Sequence, residues 1–326
     1  DSLAFFVSPR SLTEEIEGYA KLAENMGTQN LFTFSPDTAV IGSETYQDID
    51  WDNLSSPDCR QASYDTILLL GFDSWILRSV YGVKVRQARR NGVKLIIAGH
   101  EDMLSVYRPD FFIPIEKVKT QKSKVKTELQ KSKNPLIIFN PGVDGDILSL
   151  IKKEFGDVPM TPVYTKSNMR TLVNMGITSP PLDKRYKGIF IFGEDPVGLV
   201  IKPDRVRNFF KDVEFIAVCD LFHTETAKLA DVVLPAVSFA EVDGSFVNMM
   251  GKVQNIKRAI SPLTGFTNLQ LLEMLNKDTK TGKIKGRFGN SSSLPSLKIK
   301  SNADGFENRV RERLKNLGVI PNSAVS

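Results

Sequence analysis

Cysteine and histidine are almost absent. The 326 residues contain two of each, Cys59 and Cys219, His100 and His223, all far apart in the chain. No CxxC or Cys/His ligand cluster occurs, so the chain by itself has no ligand set for an iron–sulfur cluster or a structural zinc. So few thiols exclude a disulfide framework and fit a reducing compartment. No apolar run approaches the roughly 20 residues needed to span a bilayer, and the amino terminus lacks the pattern of a cleavable signal. No G-x-G-x-x-G follows a strand, which excludes an ordinary dinucleotide fingerprint. Gly193 to Gly198 has the glycine spacing of a P-loop, but Leu199-Val200 replaces its Lys-Ser/Thr, and Glu194 and Asp195 would repel phosphate. The net charge of +5 comes mostly from lysine clusters such as Lys117–Lys133. They lack interleaved aromatics, so they read as a solvated face or linker rather than a nucleic-acid stripe.

What is present reads as α/β. Hydrophobic residues make up 41% and charged residues 25%, ordinary for a globular chain long enough for two domains. Apolar runs followed by turn and helix signals recur throughout. The expected strands are Leu3–Val7, Asn30–Phe34, Asp65–Gly71, Val93–Ala98, a short one after Asp110, Pro135–Phe139, Gly188–Phe192, Phe215–Cys219 and Val232–Leu234. Between them, Thr13, Glu14 and Glu15 open a helix that Gly27 stops, and Asp144 or Asp146 caps another. A short helical piece led by Thr224 or Thr226 follows the strand that ends at Asp220. Residues 35–63 read as a long loop with short helical turns, and Thr161–Tyr186 as a second loop. Asp243-Gly244 reads as a hairpin turn. The chain opens at Asp1 without methionine, as a processed chain or the later part of a longer polypeptide would.

Three segments repeat. Ile67–Ser74 aligns with Ile189–Pro196, Val93–His100 with Val213–Asp220, and Pro109–Ile115 with Ala230–Ala236, at offsets of 122, 120 and 121 residues. This predicts two duplicated Rossmann-like lobes with mostly parallel sheets flanked by helices. The expected boundaries are 1–130 for the first lobe, 131–275 for the second and 276–326 for a flexible polar tail with a short helix.

One block is specific. Gly193-Glu194-Asp195-Pro196 follows a strand; Asp220 to Pro235 reads D-x-F-x-T-E-T-A-x-x-A-D-V-V-L-P; Phe239 to Gln254 reads F-x-E-x-D-G-S-F-x-N-x-x-G-x-V-Q. This combination resembles the molybdopterin oxidoreductase family, which includes formate dehydrogenases and the large peripheral subunit of respiratory complex I. The SNMRTLVNMGI loop and the opening VSPR look like members related to NADH dehydrogenase. In that family the strand-end loops contact the guanosine and diphosphate ends of a pterin cofactor. The resemblance therefore makes Gly193, Glu194, Asp195, Asp220, Thr224 and Glu225 the candidate cofactor-binding residues, if the pterin cleft functions. The plainer reading is that the glycine turns the chain, Asp-Pro starts a helix and Thr-Glu-Thr caps the next.

Complete family members also carry an amino-terminal iron–sulfur motif, a metal ligand and a carboxy-terminal barrel, which these residues do not supply. The resemblance thus implies a non-catalytic subunit or domain of a multi-subunit, NADH-linked electron-transfer complex. No cofactor is expected in this chain, with iron–sulfur clusters on an upstream domain or partner, and iron–sulfur and flavin subunits as partners. Its place would be the cytoplasmic or matrix side, peripheral to a membrane through its partners. The alternative is part of an active molybdenum or tungsten enzyme such as formate dehydrogenase, with molybdopterin guanine dinucleotide held by the six residues above. Cys219 reads as a core thiol, and His100 and His223 as lone histidines at a strand end and a helix start.

Overall fold

The computed structural model describes residues 2–35, 37–38, 46–55, 64–75, 79–199 and 203–280, without the side chains of 55, 199, 203–205 and 278–280. The first part of the chain forms β1 (Leu3–Val7), α1 (Thr13–Asn25), β2 (Leu31–Phe32), β3 (Thr66–Leu70), α2 (Val80–Arg90), β4 (Lys94–Gly99), α3 (Met103–Tyr107) and β5 (Phe111–Pro114). Then come α4 (Lys122–Gln130), β6 (Pro135–Phe139), α5 (Gly145–Phe155), β7 (Met160–Pro162), α6 (Met169–Asn174), β8 (Gly188–Phe192), α7 (Pro196–Leu199) and α8 (Pro203–Phe210). The last part contributes β9 (Phe215–Asp220), β10 (Val232–Pro235), β11 (Gly244–Val247), β12 (Val253–Ile256) and α9 (Asn268–Lys280). Cys59 and residues 281–326, and with them most of the expected tail, lie outside the described residues.

The chain divides into two units, residues 1–35, 177–248 and 252–326 in the first, and 36–176 with 249–251 in the second. The expected boundary at 130 does not coincide with this division. A boundary read in chain order assumes that each lobe is contiguous. Here β6 and β7 complete the sheet begun by β3, while β1 and β2 join strands that come after residue 187. The lysine-rich stretch placed at that boundary is part of the second unit, because Val118, Val125 and Leu129 are buried in its core.

Each unit is a five-stranded parallel sheet, in the orders β10-β9-β8-β1-β2 and β5-β4-β3-β6-β7. Matched position by position, β8, β9 and β10 correspond to β3, β4 and β5, the three segments that repeat in sequence. β1 and β2 correspond to β6 and β7, so one copy is a permutation of the other. The equivalence reaches single hydrogen bonds. Asp231 accepts from the amide of Ile216 at 2.9 Å and Asp110 from the amide of Leu95 at 2.8 Å. In both units an aspartate before an edge strand therefore clamps the start of its neighbour.

Alternation along the strands sorts the cores. In the second unit Leu68, Leu70, Ile96, Ile137 and Phe139 face one layer, with Ile147 and Ile151 of α5. Ile67, Leu69, Leu95, Ile97, Leu136 and Ile138 face the other, with Val85 and Ala88 of α2. Trp51 and Leu54, from the 35–63 stretch, are buried in that second layer. In the first unit Phe6, Ile191 and Val218 pack with Phe209 and Phe210 of α8. On its opposite face Phe5 stacks on Phe190 at 4.7 Å, and Tyr19 of α1 on Phe192 at 4.0 Å.

Several local expectations change. Asn30–Phe34 yields only the two-residue β2, because Thr33 and Phe34 turn to donate to a carboxylate (below). The Thr161–Tyr186 loop contains α6 and part of β7. Asp243-Gly244 is not the hairpin turn: Gly244 starts β11, and the β11–β12 hairpin reverses at 248–252, where Gly251 takes φ 75°. Of the capping alternatives, Asp144 caps α5 by accepting from the amide of Asp146.

Candidate functional site

Parallel strands bring all five carboxyl ends of the first unit's sheet to one edge. The chain leaves β1 toward β2 and leaves β8 toward β9, in opposite directions, so the crevice between β1 and β8 is the topological switch point, where open α/β sheets bind ligands. Four of the six sequence-predicted residues belong to the β8 and β9 ends, and Thr224 and Glu225 to the loop that follows.

Gly193 turns the chain out of β8 with φ 66°, a left-handed conformation that glycine adopts without cost. Its amide donates to Cys219 O at 2.9 Å, and a Cβ there would stand 3.3 Å from the Cβ of Ser8, the first residue after β1.

Glu194 does not face this crevice. It is only 8% exposed, and its two oxygens accept from the Thr33 hydroxyl at 2.6 Å and the Phe34 amide at 2.9 Å. Asp195 is also directed inward. Its Oδ1 accepts from the Thr226 amide at 2.9 Å, the Thr226 hydroxyl at 2.6 Å and the Gly198 amide at 3.1 Å. The Thr226 hydroxyl accepts in turn from the Val197 amide at 3.1 Å. A Cβ on Gly198 would overlap Asp195 Oδ2, so glycine there lets the carboxylate close over the first turn of α7.

Asp220 remains half-buried at the end of β9 and accepts from the Phe222 amide at 3.2 Å. Burial lifts its carboxyl above the usual range, and nearby Asp195 adds to this, against the amides of Phe222 and Leu221 and the charge of Arg10. Thr224 uses its hydroxyl to accept from the Ala227 amide at 3.2 Å, at the start of the single 3-10 turn Ala227–Leu229 that stands where a longer helical piece was expected. Glu225 is exposed and paired with Lys228. Thr33, Ser8 and Arg10 complete the strand-end arrangement; the sequence marked Ser8 and Arg10 only within the opening VSPR, without a role, and Thr33 as a site residue not at all. Thr33 lies 161 residues from Glu194, and no local pattern announces such a pair.

The rest of the motif block also bonds within the unit. Glu241 accepts from the Ser238 amide and hydroxyl, both at 2.8 Å, and from the Leu263 amide at 2.8 Å. Ser245 donates its amide and hydroxyl to Glu14 at 3.0 and 2.8 Å. Asp243 accepts from the Arg258 amide at 3.3 Å. Cys219 is buried, and burial, with Glu15 and Asp220 nearby, pushes its thiol up to about 12, which suits a core residue rather than a nucleophile. His100 Nδ1 lies 3.3 Å from Asp102, which also accepts the Ser74 hydroxyl at 2.6 Å. Among the described residues no group of three or more His, Cys, Asp or Glu could hold a metal ion.

A pterin dinucleotide needs acceptors for guanine or ribose and donors for phosphate at these strand ends. The residues present do not fit that need as a set. Turning Glu194 or Asp195 to a ligand would break two and three internal hydrogen bonds. Of the three candidate carboxylates at the strand ends, Asp220 is the one whose hydrogen bonds among the described residues stay within its own turn.

Residues 169–265 match the model of the molybdopterin oxidoreductase family. The chain is 45% identical over 105 residues to the F420-dependent formate dehydrogenase subunit alpha of Methanocaldococcus jannaschii, a match covering 30% of this chain and 15% of that protein. It is 27% identical over 135 residues to the NADPH-Fe(3+) oxidoreductase subunit alpha of Geobacter sulfurreducens, covering 31% and 16%. The matched stretch therefore spans about a sixth of the length of these relatives. Among solved structures, acetylene hydratase from Pelobacter acetylenicus shares the fold, with a TM-score of 0.51 at 12% identity over 86% of this chain and 55% of that one.

Proposed function

Because residues 169–265 place this chain in the molybdopterin oxidoreductase family, we propose that it serves as a non-catalytic α/β scaffold in a multi-subunit, NADH-linked electron-transfer complex. The reading rests on one observation. The carboxylates that would have to meet the cofactor, Glu194 and Asp195, instead join β8 to the end of β2 and to the turn at Thr226. The family motif is retained here as an internal brace. In this role the chain offers surfaces on which iron–sulfur and flavin subunits dock, and electrons pass through groups those partners hold. The matched relatives are named as alpha subunits, which agrees with a place in an assembly. No helix among the described residues is long and apolar enough to cross a membrane, so membrane association would come through partners.

The similarity to formate dehydrogenase alpha subunits favours a second reading, in which the chain is part of an active molybdenum or tungsten enzyme. The cofactor contact available to it is then Asp220, with Arg10 nearby. Metal and pterin analysis of the purified native complex decides between the two. Molybdenum and tungsten are measured by mass spectrometry and the pterin by its fluorescence after oxidation. A stoichiometric signal that falls on Asp220→Ala would overturn the scaffold reading. Absence of both, with NADH oxidation intact, is the outcome expected for a scaffold.

A further inference from the structure

β11 and β12 form a two-stranded antiparallel sheet, and the two outer edges of this ribbon are treated differently. The register pairs Gly244 with Ile256, Ser245 with Asn255, Phe246 with Gln254 and Val247 with Val253. The Asn248 amide donates to Lys252 O at 3.0 Å, which makes that pair a hydrogen-bonded one. Hydrogen-bonded and open pairs alternate in antiparallel ladders, so Val253 and Asn255 belong to open pairs and their amides point away from β11. On the β11 side the corresponding outward amides are Ser245 and Val247, and the first is covered: Glu14 of α1 accepts it at 3.0 Å. Nothing plays that part on the β12 side among the described residues. Val253 is 64% exposed there, and Gln254 and Asn255 are exposed as well.

An open strand edge is a template for another strand. Charge selects which one. From Gly244 to Leu272 the chain carries Lys252, Lys257 and Arg258 and no acidic residue. All three cations are exposed and flank the edge at both ends, and Arg258 is paired with Asp243 at 3.7 Å, which leaves Lys252 and Lys257 as the net charge beside the edge. A second copy would bring cations against cations, which disfavours self-pairing. Residues 281–326 of this chain carry nine cations against three anions, so they do not complement the edge either.

We propose that the free edge of β12 is a docking site for an extended, acidic segment of a partner polypeptide, which adds as a third strand through the outward amides of Val253 and Asn255. This deepens the scaffold reading by naming one surface on which a partner docks, and its test is independent of whether pterin is present.

The test uses the full chain and two fluorescein-labelled octapeptides, one alternating glutamate and valine and one alternating lysine and valine. Binding is read by anisotropy, and the contact by amide hydrogen exchange. The acidic peptide is expected to bind at least tenfold more tightly and to slow exchange at Val253 and Asn255. Asn255→Pro removes an outward donor without touching the β11 ladder, as proline on an edge strand allows, and is expected to weaken binding at least fivefold. Lys252→Glu with Lys257→Glu should reverse the peptide preference. Equal binding of the two peptides, or unchanged exchange at Val253 and Asn255, overturns the proposal. So does protection of these amides in the chain alone, which would place residues 281–326 there, or a second copy if the protection grows with concentration. The exchange measurement on the unaltered chain decides the matter even if a variant misfolds. A chain that carries pterin yet binds the acidic peptide refutes the scaffold reading alone, and the converse pair of results refutes only this one.

Discussion

Glu194 accepts the hydroxyl hydrogen of Thr33 at 2.6 Å, joining the end of β8 to the end of β2 across β1, the strand between them. The Phe34 amide occupies the second oxygen. An amide side chain cannot accept from both donors, because one of its two polar atoms is itself a donor. Glu194→Gln is therefore expected to destabilise the first unit by about 1–3 kcal/mol, the usual consequence of a buried donor left unmet. Urea unfolding measures it, and a fully unperturbed midpoint would refute the bracing role.

Gly71 and Gly193 are related by the duplication, and both take left-handed φ, 76° and 66°. Any alanine there costs about 1–2 kcal/mol in backbone strain. At Gly71 a Cβ would also stand 2.7 Å from Val143 Cγ2, whereas at Gly193 it would meet the smaller Ser8 at 3.3 Å. Gly71→Ala should consequently lower thermal stability more than Gly193→Ala, as calorimetry of the two variants would register.

Glu15 is buried in α1, where its carboxylate accepts from the Leu12 amide at 3.0 Å and the Asn268 side chain at 2.9 Å. Burial is the larger effect and raises its pKa above the ordinary 4.5, against those hydrogen bonds. A carboxyl whose folded pKa is raised binds its proton more tightly when folded. Its contribution to stability is complete below the unfolded pKa and is lost as pH rises through the folded one. Glu15→Gln should flatten the decline in stability just above pH 4.5. An unchanged slope in pH-dependent denaturation would count against it.

Cys219 faces the first unit's core with its thiol pushed up to about 12. In a Cys59→Ser background it is expected to resist alkylation by iodoacetamide at pH 8 and to react fully in denaturant. Rapid labelling of the folded chain, followed by mass spectrometry, would show that the core opens at β9.

The strands were legible because their apolar runs are bounded by glycine, proline and acidic residues, as at Gly188–Phe192 and Phe215–Asp220. The duplication was legible because it preserves order over β3–β5 and β8–β10. The permutation was not. β1 and β6 share no spacing signal with their counterparts, since the offset that links the other strands does not apply to them. The lysine tract hid Val118, Val125 and Leu129, three core residues diluted among seven lysines between 117 and 133. At the site, the family resemblance and their place after a strand made Glu194 and Asp195 look like strand-end ligands. Which way a carboxylate turns depends on Thr33 and Thr226, donors brought from other parts of the chain.

Translation meets the two sheets in unequal ways. The sheet of β3–β7 is encoded without interruption from Thr66 to Pro162 and can close as soon as it has been made. β1 is made earlier, yet its ladder partner β8 begins at Gly188. At about 5–20 residues per second, that wait is on the order of ten to forty seconds. Throughout it Phe5 and Phe6, both fully buried in the finished sheet, have no strand of β8–β10 to pack with. A strand made before every other strand of its sheet is thus among the last to find its place, and a nascent chain stalled before Gly188 would present those phenylalanines to whatever chaperone attends the ribosome.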